Sequence, residues 1–435
     1  MPGPDFATAA EVAALEPGKL PLSLQRGHLV FSSPATLAFN APGARGVGVK
    51  KASLAIPGSV MLLIAPACCG RNTAALGGTD RDLEARTHYL LLDGTDIVTG
   101  RYLKRVPDAV KELCAFLASP PSVVVLCTTC VDALLATDVD RLCRESSQAA
   151  GVPVIATTMY ALTRESRRPP MEEVRVSLYS LLEKASCDPA SCNILGYFSP
   201  LQNGCELYGI LVQAGIKRTR ELSRAQNMDD YRAMATSAFN LVLDPEAGLA
   251  ARDLASRLGM PWAQLSRSFQ TDKIANQYRL LGEVLGRRTD DSRWREEAGR
   301  RVEAFAARWR GLACAVGEVL CARPFDLALA LLRMGLRVPE IFAVPGRGDR
   351  ALVARIAALS PDTRIYSSLS PTMLFYGQGG QGEGCRADLA LGQDARFYHP
   401  RLPGTDWCPP RQPFGYAGLC ALLDEMEAAL REAGQ

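Results

Sequence analysis

Three histidines are all that this 435-residue chain contains, His28, His88 and His399, and that scarcity excludes a histidine-rich metal site. There is no GxxxxGK[ST] segment, so the chain has no phosphate cradle with which to hydrolyse ATP itself. There is no GxSxG nucleophile elbow either. Basic and acidic residues, 49 and 46, are interspersed and leave a net charge of only +3. Without a Lys/Arg block, neither nucleic acid nor an anionic membrane is the expected partner. No long apolar run is present. The most apolar window, residues 52–69, is broken by Pro57, Gly58 and Pro66, which suits a strand better than a membrane span. The opening "MPGPDFATAAEVAALEPG" lacks the basic and apolar regions of a signal peptide, so the expected location is the cytoplasm.

Cysteine, by contrast, is plentiful, with 14 residues. Disulfides are disfavoured in a reducing compartment, so these thiols are expected to be metal ligands, catalytic groups or small core hydrophobes. Cys114, Cys143, Cys314 and Cys420 sit in apolar surroundings and read as core. Cys187, Cys192, Cys385 and Cys408 read as loop residues without an assigned role.

Hydrophobic residues make up 48% of the chain, enough for several cores, and the length suggests two to four domains. Short Val/Ile/Leu runs alternate with helical periods throughout. Strands are expected near 60–65, 88–92, 122–126, 153–156, 193–197, 239–243, 312–316, 340–344, 363–366 and 388–391. Helices are expected between them, for example over 107–118, 131–149, 292–310 and 415–432. Such alternation predicts an α/β fold with parallel sheets covered on both faces. Breaks at "KASCDPASC" and at the charged helix 292–310 divide the chain into 1–190, 191–310 and 311–435, each long enough for one Rossmann-like, doubly wound sheet. The Gly-rich stretch "GQGGQGEG" (377–384) reads as a loop.

In open α/β sheets, function lies beyond the carboxyl ends of the strands. Two of those ends carry paired thiols. "VMLLIAPACCG" ends in Cys68 and Cys69, and "SVVVLCTTC" in Cys127 and Cys130. Adjacent side chains on a strand point to opposite faces, so Cys68 and Cys69 serve one site only if the backbone turns there, which Gly70 permits. Cys127 and Cys130, three apart at a strand–helix junction, can face the same way, and a helix N-terminus would lower their thiol pKa. Four converging thiolates suit an iron–sulfur cluster or zinc, and zinc fits less well at the edge of a large sheet. A thioredoxin-like Cys127–Cys130 redox pair, a vicinal Cys68–Cys69 disulfide and inert buried thiols are the alternatives. Asp244 in "NLVLDPEAG", Cys205 in "YFSPLQNGC" and His399 in "DARFYHP" also lie beyond expected strands. The plain reading of His399 is a satisfied loop histidine.

The run "GARGVGV…APACCGRN…LLLDGTDIVTGRYLKR…VVLCTTCVDALLATDVD" resembles the first domain of the nitrogenase component 1 family. That family holds the molybdenum–iron protein subunits, their cofactor-assembly scaffolds and the nitrogenase-like tetrapyrrole reductases. "ILGYFSPLQNGCELYGILVQAGI" resembles the opening of its second domain, and "RFYHPRLPGTDWCPPRQPFGYAGLCALLDEM" the end of its third. The resemblance implies three α/β domains around a central cavity and a two-fold dimer, homodimer or heterodimer, of like or related chains. It also implies an iron–sulfur cluster, [4Fe–4S] or larger, shared across the dimer by cysteines of both partners. An ATP-hydrolysing iron protein would be the electron donor. Cys69 and Cys130 match the family's second and third cluster cysteines.

The chain also departs from the family. The first cluster cysteine should fall near Phe39, where there is none, and Cys68 and Cys127 are extra thiols available to replace it. In the catalytic subunit a cysteine and a histidine anchor the active-site cofactor. Asp244 stands at or beside the cysteine position and His399 at the histidine position. That combination speaks against the standard iron–molybdenum cofactor and leaves a different metal cofactor, a tetrapyrrole or an empty cavity. The expectation is a nitrogenase-like reductase subunit with Asp244 and His399 as catalytic groups. A non-catalytic metallocluster-assembly scaffold and a dithiol redox protein are the alternatives.

Overall fold

The structure, a computed structural model, describes residues 4–16, 19–25, 35, 39, 48–69, 81–159, 170–377 and 387–433. In chain order the strands are β1 (Phe6–Thr8), β2 (Ser59–Pro66), β3 (Thr87–Leu92), β4 (Val123–Thr128), β5 (Val154–Thr158), β6 (Asp188–Leu195) and β7 (Arg218–Glu221). They continue with β8 (Ser237–Val242), β9 (Trp262–Gln264), β10 (Ala313–Val316), β11 (Arg337–Phe342), β12 (Arg364–Tyr366), β13 (Leu389–Leu391) and β14 (Gly404–Thr405). With the intervening helices they make an α/β fold with three largely parallel sheets. Among the described residues, no helix is long and apolar enough to cross a membrane.

The chain divides into two compact units. One comprises Ala41–Pro200 and Ile216–Ser266. It contains two four-stranded sheets, in the orders β3-β2-β4-β5 and β7-β6-β8-β9, parallel throughout. β2 and β4 are continuously apolar because both faces of the sheet are covered, and every residue of β4 is buried. Val123, Val125 and Ile155 of the first sheet, Leu195 and Val242 of the second, and Val174 and Leu178 of the helix Pro170–Tyr179 form one continuous core. In each sheet the chain reverses direction across the sheet between its first and third strands, β2/β4 and β6/β8. Such switch points open crevices at the carboxyl edge.

The other unit comprises Met1–Asn40, Leu201–Gly215 and Arg267–Gln435. Its sheet has the order β1-β12-β11-β10-β13-β14. β1 is antiparallel on one edge, the remaining pairs are parallel, and the switch point lies between β10 and β13.

Several local expectations change. The helix expected over 131–149 is two, Cys130–Leu134 and Val139–Ala150. Ala136 breaks it with φ 50°, and Asp138 caps the second helix by accepting from the N–H of Arg141. The strand expected at 193–197 is β6, which starts earlier, so Cys192 is not a loop residue but a fully buried strand residue. Cys187 and Cys408 are exposed. Cys314 is fully buried, and Cys114 and Cys143 pack against the core of the first sheet, as expected of small hydrophobes. His28, Gly70, Cys385, most of "GARGVGVK" and residues 378–384 lie outside the described residues.

Candidate cysteine site and the strand ends

The first sheet carries its thiols at the switch point between β2 and β4. After Pro66 the backbone turns into helical geometry over residues 67–69, before Gly70 is reached. That turn lets two adjacent residues face the same way. Cys68 and Cys69 are both exposed, with sulfurs 4.0 Å apart. Cys130 opens the short helix that follows β4, where the N–H of Thr129 donates to Asp132 Oδ2 at 3.1 Å. Burial, then the Cys68 thiol, then nearby Cys130 push the Cys69 thiol above its ordinary pKa, so Cys69 feels both of the other sulfurs. Like-charge crowding of this kind is relieved when a cation takes the protons' place.

The fourth candidate lies elsewhere. Cys127 still belongs to β4, opposite Leu63 and Thr157, and is fully buried among Leu54, Met61, Leu63 and Leu83. Burial pushes its thiol up to about 12, the opposite of the lowering expected at a helix N-terminus. Phe39, near which a further cluster cysteine was expected, packs edge-on against Phe397 at 6.1 Å. Among the described residues, no group of three or more His, Cys, Asp or Glu side chains is arranged to hold a single metal ion.

The acidic turn "DGTDIVTG" beside this sheet is a structural clasp. Asp96, fully buried, accepts from the N–H of Asp93, from Arg101 Nε at 2.7 Å and from Arg105. The Arg101 hydrogen bond is the main reason its carboxyl stays below the usual carboxylate range.

In the second sheet, Asp244 follows β8 at the switch point. Its Oδ1 accepts from the N–H of Glu246 at 3.0 Å, and its Oδ2 lies 3.6 Å from Arg175. Buried Arg175 donates to the carbonyl of Gly196 from Nε and Nη2, at 3.0 and 2.8 Å, and to Glu246 at 2.7 Å. Its guanidinium also lies 4.6 Å from the centre of the Phe198 ring. Asp244 is therefore tied into the turn that closes the sheet.

In the third sheet, His399 follows the helix Gln393–Tyr398 and is only 4% exposed. Its Nε2 lies 2.9 Å from Glu340 Oε2 and 3.0 Å from the Tyr376 hydroxyl, which donates to the same carboxylate oxygen at 2.8 Å. Tyr366 donates to the other oxygen at 3.4 Å. The imidazole thus closes a buried carboxylate–phenol cluster, under an aromatic layer in which Phe342 stacks on Tyr366 and Tyr398. A cavity of about 580 Å³ adjoins it, lined among others by Tyr376, Phe397, Tyr398, His399 and Arg401. Cys205 is buried ahead of the helix Glu206–Gln213, with its thiol toward the carbonyl of Phe414 at 3.7 Å.

The sequence reading missed Glu340, Tyr376 and Arg175. Glu340 left a legible signal, a lone acid inside the apolar strand "RVPEIF". A carboxylate there must find donors. Arg175 left none, because its role depends on a carbonyl 21 positions away.

Comparison with known proteins gives a consistent answer. The family described as nitrogenase component 1 type oxidoreductase matches residues 45–366. The chain is 25% identical over 241 residues to the nitrogenase iron-molybdenum cofactor biosynthesis protein NifE of Klebsiella pneumoniae, a match spanning 52% of this chain and about half, 51%, of that relative. It is 23% identical to the protein of the same name from Sinorhizobium fredii and 24% identical to that of Rhizobium meliloti. Each of these covers 92% of this chain, and 83% and 87% of the respective relative. A solved nitrogenase Cp1 at pH 6.5 superposes with a TM-score of 0.68 at 16% identity, over 89% of this chain and 92% of that one, a likeness of fold. On the family match over most of its length, this chain belongs to the nitrogenase component 1 type oxidoreductases.

Proposed function

We propose that this chain is a non-catalytic metallocluster-assembly scaffold subunit. It holds an iron–sulfur cluster through Cys69 and Cys130, with Cys68 as a third thiol, at an interface with a like or related chain. The observation that carries this reading is the meeting of three thiols at the switch point of the first sheet, two of them exposed and with sulfurs 4.0 Å apart, the Cys69 thiol raised by both of its neighbours. The donor set suits an iron–sulfur cluster, whose ligands are thiolates. Among the described residues it is incomplete within one chain, because Cys127 is committed to the core. The remaining ligand then comes from the partner. When bound, the cluster supplies one-electron transfer at a potential set by burial and by hydrogen bonds to sulfur, with an ATP-hydrolysing iron protein as donor.

What this chain's own residues do is more limited. Asp96 and its arginines hold the turn beside the site, and Thr129 and Asp132 fix the helix that presents Cys130. The three relatives are named for iron–molybdenum cofactor biosynthesis, which favours a maturing metallocluster as cargo. The reductase reading has less support, since the groups once expected to be catalytic are engaged. Asp244 is tied to Arg175 and to the Glu246 N–H, and His399 Nε2 lies against Glu340 and Tyr376.

The test is strictly anaerobic purification, with iron and acid-labile sulfide per chain and electron paramagnetic resonance of the reduced protein. Roughly two or more irons per chain are expected, lost in Cys69→Ser and Cys130→Ser. Incubation with a cofactor-free component 1 acceptor should move metal to that acceptor, with no substrate turnover by this chain. Iron-free wild-type protein, made alongside cluster-assembly machinery, would overturn the reading.

A further inference from the structure

Two thiols remote in sequence meet at the carboxyl edge of the third sheet and play no part in the reading above. Cys321 lies in the loop between β10 and the helix Pro324–Arg333, and Cys408 in the segment after β14. The N–H of Cys321 donates to the carbonyl of Trp407 at 2.8 Å. The peptide linking Trp407 to Cys408 therefore lies directly against the backbone of Cys321. The Cys321 and Cys408 thiols are hydrogen-bonded to each other, and the Cys321 sulfur also reaches Gln412 Oε1 at 3.8 Å.

The segment that presents Cys408 is held in an unusual conformation. Trp407 has φ 44°, the left-handed region that side chains other than glycine seldom adopt. The ring is 4% exposed, yet its indole N–H has no acceptor among the described residues. The backbone is pinned there by the Trp407 N–H donating to Thr405 Oγ1 at 3.0 Å and by the Cys321 bond on the other side of the same residue. Strain of this kind persists only where the surroundings over-determine it. Here the effect is to hold one exposed thiol against one half-buried thiol.

We propose that Cys321 and Cys408 form a thiol–disulfide site, which closes by exchange with a small-molecule disulfide and cross-links the loop after β10 to the segment after β14. The exposed Cys408 thiolate attacks one sulfur of the small disulfide, forming a mixed disulfide and releasing one thiolate, which takes up the proton that Cys408 lost. The Cys321 thiolate then attacks the Cys408 sulfur, forming the internal S–S bond and releasing the second small thiol. The two cysteines together lose two protons and two electrons, and the small disulfide gains both.

Exchange at this site should be slow near neutral pH and accelerate with pH. The hydrogen bond that the Cys408 thiol donates to Cys321, then burial, then the negative charge on Cys321 when ionised and those of Asp406 and Asp394 all favour the protonated Cys408 thiol. The thiolate fraction, and with it the rate, should rise about tenfold per pH unit while the thiol remains mostly protonated.

The experiment treats the full-length chain, under anaerobic conditions, with oxidised glutathione at several values from about pH 7 to about pH 9. After quenching and alkylation, peptides are mapped by mass spectrometry. The expected product is a cross-linked pair of peptides carrying Cys321 and Cys408, short of two hydrogen atoms and forming faster as pH rises. In Cys321→Ser, Cys408 should instead stop as the mixed disulfide with glutathione. Circular dichroism of the variant checks that it folds. Cys408 that stays fully alkylatable throughout, pairs with another cysteine, or forms only the glutathione adduct in the wild type would overturn the proposal.

Discussion

Cys69 and Cys127 show at the scale of one residue what separates a proposed ligand from a core thiol. Both come from apolar strands that end in paired cysteines. Cys69 lies past the end of β2, where the chain has already turned, and is exposed. Cys127 lies inside β4 and is fully buried. Serine in place of each should therefore act on different properties. Cys127→Ser puts a hydroxyl among Leu54, Met61 and Leu63, and should cost about 1–3 kcal/mol of stability while iron content is kept. Cys69→Ser should change stability by less than about 0.5 kcal/mol, as surface changes do, and abolish iron binding. Denaturant titration beside iron analysis of the two proteins checks both halves. If Cys127→Ser lost iron with its stability unchanged, the core placement of that thiol would be refuted.

Between single residues and the whole chain stand the turns that close each sheet, and the turn after β6 is tightly constrained. Gly196 has φ 129°, and a Cβ built there would fall 2.7 Å from both Asp244 Cβ and Asp244 N. The turns after β6 and β8 are in direct contact, with Arg175 bonded to both. Gly196→Ala should cost about 1–3 kcal/mol through backbone strain alone. Arg175→Met strands the Gly196 carbonyl and should cost a further amount of about 1–3 kcal/mol when made separately. Thermal unfolding of each variant provides the measurement, and a neutral Gly196→Ala would mean the two turns stand farther apart than described. Parallel strands such as β2, β4, β8 and β10 were legible in the sequence because their apolar runs are buried on both faces. β1, β7, β9 and β14 were not, being two to four residues long and partly polar edge strands, as in "RTRE" of β7. Ala136 was missed for another reason. Its left-handed φ follows from capping of the next helix by Asp138, and nothing in helical periodicity records that. The candidate thiols were legible as types at strand ends. Which of them turned outward was not, because that depends on a backbone turn at 67–69 made before the glycine that seemed to permit it.

For the molecule as a whole, the proposed cluster site, with its thiols at the surface, would require a second chain to cover it. The helix that begins with Cys130 continues into Leu134, 61% exposed, and Leu135, 46% exposed. Large apolar side chains left in water beside a cysteine proposed as a ligand suit an interface, where such residues act as anchors. Exposure also makes them safe to change, since neither is needed to fill a core. Leu134→Arg should therefore leave the unfolding midpoint nearly unchanged, weaken self-association or association with a related chain by about tenfold or more, and lower iron content in parallel. Sedimentation velocity at several concentrations, with iron measured across the same fractions, follows both quantities. Association and iron falling together would tie the cluster to the interface. Iron kept at full occupancy in a monomeric Leu134→Arg protein would mean that one chain completes the ligand set, and the shared-cluster reading would fail at the scale where it matters most.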